Sequence, residues 1–195
     1  MNEKKHSVRD VVLAIAAYGK GHEIKGRTLL QKLVYFLNEL LKLEIRYSPA
    51  YYGPYSEDVA KATNSLVALG FLKETETLYP IVSDSVFPVC KYTYKMTEEG
   101  KIVFELMETD DKEYFLDMKS AIEKIYSYGD IDYVDLSIAA KMAHILKSSA
   151  PNPMRQSEII EAAKELKWKL SDAAIEKAAH FLLSLDVIRE SGKAS

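Results

Sequence analysis

Leu66-Val-Ala-Leu-Gly-Phe-Leu-Lys-Glu74 and Leu182-Leu-Ser-Leu-Asp-Val-Ile-Arg-Glu190 align without a gap, apolar position on apolar position, and both close on a basic–acidic pair. The match extends upstream, where Val59 falls on Ile175 and Lys61 on Lys177. In the first copy Gly70 fits the left-handed position that ends a helix, and Phe71 can fold back on the last turn. Asp186 holds that place in the second copy, and aspartate is one of the few non-glycine residues that tolerate it. Each copy reads as a helix tail, a hard stop and the first residues of a strand.

A winged helix-turn-helix leaves its third helix and enters its wing in that order. The expected fold is therefore mainly α with a small β hairpin, as two winged helix-turn-helix units joined by helices. Outward from the first copy, Ser56 is a good N-cap and Glu57 and Asp58 suit the positive end of the helix dipole. Val59, Ala62, Leu66 and Leu69 are expected inward. Upstream, Val8, Val11, Val12, Ile15 and Ala16 recur at helical spacing until Gly19-Lys-Gly21. The next helix, carrying Leu29, Leu30, Leu33, Val34, Phe36, Leu37, Leu40 and Leu41, is apolar around most of its circumference and should be buried on more than one side. Residues 45–47 read as extended, and residues 49–54 as a tyrosine-rich loop.

Downstream, residues 71–73 and 89–96 read as two strands of a half-buried hairpin, with Pro80 and Pro88 limiting their length. Thr97 caps the following helix, and Asp110 with Glu113 has the capping-box spacing for the next. Ile131, Val134, Ile138, Met142 and Ile145 mark another, broken at Ala150-Pro-Asn-Pro153. Ser171 caps the last helix, with Ile175, Ala178, Leu182 and Leu185 inward and strand residues Val187 and Ile188 after it. The expected organisation is a winged-helix-like domain over 1–97, acidic connecting helices over 98–150, and a second helix-turn-helix unit over 151–195 whose wing is incomplete. An open strand edge invites pairing with another chain, which makes a homodimer one expectation.

The chain has 195 residues, 48% hydrophobic and 28% charged, with a formal net charge of -3. That is enough for one large domain or two small ones, and it carries none of the overall basic charge usual in DNA-binding domains. A single cysteine, Cys90, excludes an internal disulfide and a multi-cysteine zinc site. With no signal-like N-terminus and no apolar run of membrane-spanning length, a cytoplasmic protein without a membrane segment is expected. Residues 98–135 hold twelve Asp/Glu against four Lys/Arg, a solvated acidic stretch or a surface for a basic partner.

Gly26-Arg-Thr-Leu-Leu-Gln-Lys-Leu-Val-Tyr-Phe-Leu37, followed by Tyr51-Tyr-Gly-Pro-Tyr-Ser-Glu57, carries two separated motifs. They are Leu30-Gln31-Lys32-Leu33 with Tyr35-Phe36, and Tyr52-Gly53-Pro54. In that order they resemble the YwgA-like family of bacterial and archaeal proteins and the Panacea domain of antitoxins and phage-associated proteins. The resemblance covers roughly the first hundred residues. It implies a winged-helix-like α fold without catalysis and, for the Panacea domain, toxin neutralisation. Physically, Gly53 permits backbone angles closed to other residues and Pro54 fixes its own φ, so the pair sets the entry to the helix at Ser56. Gln31 is placed to hydrogen-bond a loop carbonyl.

Two binding readings follow, DNA-binding regulation first and a protein-interaction module as the alternative. For DNA, a regulatory role would put Lys61 and Asn64 on bases, with Lys20, Lys25 and Arg27 on phosphates and Lys167 and Lys169, flanking the sole tryptophan Trp168, as a second basic patch. Glu57 and Asp58 oppose this, because carboxylates at that helix end repel phosphate. For a protein partner, as in an antitoxin or adaptor, Tyr47, Tyr51, Tyr52 and Tyr55 form the contact surface, since tyrosine offers a large apolar ring and a hydroxyl together. Trp168 is expected as a core or lid residue. Nothing points to an enzyme, a metal or a cofactor: His6, His22, His144 and His180 lack ligand spacing, and there is no phosphate-binding glycine loop. His144 and His180 are expected to be packed, and Cys90 to be a small buried hydrophobe.

Overall fold

The computed structural model describes residues 6–79, 89–129, 132–150 and 153–188. Among them are eight α-helices and one three-stranded antiparallel sheet. In chain order they are α1 Val8–Tyr18, β1 Glu23–Lys25, α2 Arg27–Leu41, α3 Glu57–Ala68, β2 Leu72–Tyr79 and β3 Val89–Met96, then α4 Glu98–Asp110, α5 Lys112–Ser127, α6 Tyr133–Ser149, α7 Gln156–Glu165 and α8 Asp172–Ser184.

Two helices occupy the middle. α1 buries six consecutive residues from Val11 to Ala16, and α2 buries nine from Leu30 to Asn38. α1 packs against α2, α3, α4 and α5, while α2 also meets α6. A stripe would serve a helix at the edge of a core; continuous burial follows from having neighbours on all sides. The buried apolar residues of all three expected segments join in one core, exemplified by Phe36 of α2 packed edge-on against Phe181 of α8 with ring centroids 5.1 Å apart.

The repeated phrase ends two helices in the same way. After α3, Gly70 has φ +75°, its N–H reaches the Val67 carbonyl at 3.0 Å and the Phe71 N–H reaches Leu66 at 2.9 Å. After α8, Asp186 has φ +59° and the matching bonds from Asp186 to Leu183 and Val187 to Leu182 are both 3.0 Å. Both are Schellman stops. A third, unexpected one closes α7, where Lys167 at φ +58° and Trp168 bond back to Lys164 and Ala163.

The copies then diverge. β2 runs eight residues, beyond the three expected, and pairs along its whole length with β3 from Leu72↔Met96 to Tyr79↔Val89. β1 adds to the other side of β3, giving the order β1-β3-β2. Val187 and Ile188 form bends and no strand. Leu69, expected inward, is 54% exposed, while its counterpart Leu185 is buried. Leu69 is the C-cap residue of α3, past its last helical residue Ala68. Residues 45–47 form no strand; the local pairing is an isolated bridge between Ser48 and Tyr55. Pro80, Pro88, Ile131 and the segment after Ile188 lie outside the described residues.

Caps fall largely as expected. Ser56, Thr97 and Ser171 accept from Val59, Gly100 and Ala174, while α5 is capped by Asp111, one residue later than expected. Thr97 also donates its hydroxyl to the Gly70 carbonyl at 2.6 Å, tying the end of α3 to the start of α4. Gly100 is required by that closeness, since a Cβ there would lie 2.2 Å from the Phe71 carbonyl oxygen. Gly100→Ala is therefore expected to lower stability by about 1–3 kcal/mol, as overpacking against backbone does; an unchanged denaturation midpoint would contradict this packing.

Candidate partner-binding surface and cavity

Residues 48–55 form a small, tightly tied loop. Ser48 and Tyr55 exchange two backbone hydrogen bonds of 2.9 Å, and Ala50 and Gly53 exchange two more of 3.2 and 2.9 Å across the tip. Gly53 has φ +96°, a backbone setting that glycine adopts at little cost. Tyr51 and Tyr52 stand at that tip, 79% and 57% exposed, and Tyr55 is 41% exposed.

Side chains from α2 and from the turn after α7 hold the loop. Gln31 of α2 spends both ends of its amide on Ser56, donating to the carbonyl at 2.9 Å and accepting from the N–H at 3.0 Å. This is the carbonyl bond expected of Gln31, with a second bond added. The Lys32 ammonium donates to the Pro54 carbonyl at 2.5 Å. Trp168, beyond α7, is buried and donates its indole N–H to the Ala50 carbonyl at 2.7 Å. The Trp168 ring is thus a core residue, and its polar edge is a clamp on the loop. α6 closes the back, where a Cβ on Gly53 would sit 3.1 Å from Lys141 Cγ and 3.3 Å from the Ser137 carbonyl.

A cavity of about 370 Å³ lies between α2, this loop and α3. Its lining includes Arg27, Thr28, Lys32, Asn64, Tyr51, Tyr52, Tyr55 and Tyr94, and it contains no Asp or Glu. Lys32 is 2% exposed. Burial, with the Lys141 charge second, pulls its ammonium down to about 8. Among the described residues no carboxylate forms an ion pair with Lys32 or Lys141.

Arg27 is more engaged than a phosphate-holding residue would be. Its guanidinium stacks 3.5 Å from the centre of the Tyr92 ring, donates to the Tyr94 hydroxyl at 3.1 Å and pairs with Glu74 at 3.2 Å. Tyr94 in turn donates to Glu74, and burial together with that bond pushes its phenol up to about 12. The group ties α2 to the sheet.

The other expected nucleic-acid residues are dispersed. Lys61 and Asn64 are exposed on α3, with Lys61 paired to Glu57 at 3.4 Å. Lys25 is exposed on β1 and Lys20 on the turn before it. Lys167 and Lys169 are exposed on either side of Trp168, remote in sequence from that face. Of the expected tyrosine surface, Tyr51, Tyr52 and Tyr55 come together and Tyr47 does not. Its ring packs edge-on against Tyr35 at 5.0 Å and its hydroxyl is buried, because residues 42–47 run back along the core after α2. His144 packs beside Trp168 as expected, whereas His180 is exposed and Cys90 is only partly buried. Lys32, which holds the loop, and Ser137 and Lys141, which pack behind Gly53, had no expected role. A lysine in the most buried stretch of α2 was the signal for Lys32 alone.

Among the described residues no three His, Cys, Asp or Glu side chains converge as a metal site would require, and no helix is long and apolar enough to cross a membrane.

No protein-family model matches the chain. It is similar to "Uncharacterized protein YwgA" of Bacillus subtilis (strain 168), at 31% identity over 106 residues, which is 54% of this chain and 57% of that protein. The chain thus spans less than two thirds of that relative's length. The match supports a YwgA-like family.

Proposed function

We propose that this chain is a non-enzymatic binding protein on a winged helix-turn-helix frame, and that it docks a protein partner through Tyr51, Tyr52 and Tyr55. The order α1-β1-α2-α3-β2-β3, with strands arranged β1-β3-β2, supports the winged-helix part. The observation that carries the partner reading is the loop itself: three exposed tyrosines on a backbone held by Gln31, Lys32 and Trp168. Exposed aromatics fixed before binding lose little entropy on docking and are the side chains that dominate interfaces. A Panacea-type antitoxin or an adaptor would present such a surface. The test is purification of the tagged chain from its own cells beside a Tyr51→Ala/Tyr52→Ala variant. A stoichiometric protein that accompanies the first and is lost from the second is the expected result; equal retention by both sinks the reading.

DNA-binding regulation is the second reading, favoured by the exposed lysines 73, 91 and 95 on the β2–β3 hairpin. The charges around them weigh against it. Lys95 faces Glu23 at 3.6 Å, Arg27 is taken by Glu74, and α3 presents Glu57 and Asp58 against one lysine. Phosphate binding needs uncompensated cations.

A further inference from the structure

The cavity behind the tyrosine loop has a feature that neither binding reading uses. Lys32 is a nearly fully buried ammonium with one hydrogen bond, to the Pro54 carbonyl, and an ammonium carries three N–H donors. Lys141 packs its Cγ beside the same glycine from α6 and holds its ammonium 5.7 Å from the centre of the Trp168 ring, near enough for its charge to act on Lys32, and no carboxylate is paired to either lysine among the described residues. A buried charge is normally paired, because taking it from water without compensation is costly. Here the missing partner is an anion, and the space is present beside it. The volume falls within the ~300–1,000 Å³ typical of small-ligand sites. The remaining lining suits a specific class: Thr28 and Asn64 offer hydrogen bonds, and Tyr51, Tyr52 and Tyr55 offer aromatic faces.

We propose that this cavity binds a small phosphomonoester bearing a planar ring, of mononucleotide size, with Lys32 anchoring the phosphate and the loop tyrosines receiving the ring. Lys32 on the cavity wall, with the Lys141 charge acting on it from behind, gives this end of the cavity a positive field that a phosphate dianion meets better than a single carboxylate does. Aromatic rings stack on any base, so the ring contributes affinity without base selection. Thr28 and Asn64 contact the ligand between its two ends. The site shares Tyr51, Tyr52 and Tyr55 with the protein-partner reading, but its test is separate: ligand titration uses the chain alone, so its failure leaves that reading standing.

The experiment is calorimetric titration of the full chain with the four ribonucleoside 5′-monophosphates, the four matching nucleosides and inorganic phosphate. At least one monophosphate is expected to bind in the micromolar range, with its nucleoside and inorganic phosphate each at least ten-fold weaker. Lys32→Met is expected to weaken the monophosphate at least thirty-fold while circular dichroism and melting remain those of a folded protein. Asn64→Ala, an exposed lining position that does not enter the core, is expected to weaken it several-fold, and serves if Lys32→Met does not fold. Lys61→Ala, outside the cavity, is expected to leave binding unchanged. No binding by any monophosphate up to 10 mM, a nucleoside as tight as its monophosphate, inorganic phosphate as tight as either, or Asn64→Ala binding unchanged in the absence of a folded Lys32 variant would overturn the proposal.

Discussion

Trp168→Ala is expected to cost about 3–5 kcal/mol of stability, the range for truncating a large buried aromatic. The ring is 3% exposed, lies beside His144 and joins the core shared by α6, α7 and α8. The same change removes the donor to Ala50, so the loop that carries Tyr51 and Tyr52 loses its attachment to the C-terminal part of the chain. Trp168→Phe separates these effects. It keeps most of the apolar ring and loses the N–H, for an expected loss nearer 1 kcal/mol together with faster hydrogen exchange at residues 48–55. Denaturant titration followed by circular dichroism reads both variants, because Trp168 is the chain's one tryptophan and fluorescence would be lost with it. Stability within 1 kcal/mol of the parent for Trp168→Ala would mean that the indole is not packed as described.

The second large effect concerns Lys32 and pH. Its ordinary value of 10.5 falls to about 8 in the folded chain, with burial the main cause and Lys141 next. The unfolded chain thus keeps this proton up to about 10.5, while the folded chain releases it near 8. Between those values the unfolded state binds more protons, so stability from this group rises with pH. Below pH 8 the folded state bears the full penalty, on the order of 3 kcal/mol. Lys32→Met removes the term. At pH 7 the variant sheds the penalty but leaves the Pro54 carbonyl without its donor, which costs about 1–3 kcal/mol, so its stability stays near the parent's. From pH 8 to 10.5 the parent is expected to gain on the variant by about 3 kcal/mol, read as the difference between two urea series. A flat difference would show that Lys32 is charged and solvated.

Those two residues mark where sequence reading stopped. The Schellman stops at Gly70 and Asp186, the caps at Ser56, Thr97 and Ser171 and the Gln31 bond were legible because each is settled within a few residues or by a turn of fixed geometry. The shared core, the Trp168–Ala50 bond and the Arg27–Tyr94–Glu74 group join positions far apart in the chain, and no local pattern encodes them. Leu69 and Tyr47 misled for related reasons. The first obeys helical spacing until the helix stops, and the second belongs by sequence to a tyrosine cluster from which the chain's return over α2 removes it. The second copy of the repeated phrase foretold a helix ending correctly and a strand wrongly, since β2 is paired by β3 and, among the described residues, no such partner meets Val187 and Ile188.

The most direct test of the tyrosine-face account is hydrogen exchange on the chain alone and in complex with the partner that co-purification is expected to yield. Slowed exchange concentrated at residues 48–56, with residues 72–79 and 89–96 unchanged, is the predicted result. Protection confined to the β2–β3 hairpin, with the tyrosine loop exchanging as it does in the free chain, would contradict it.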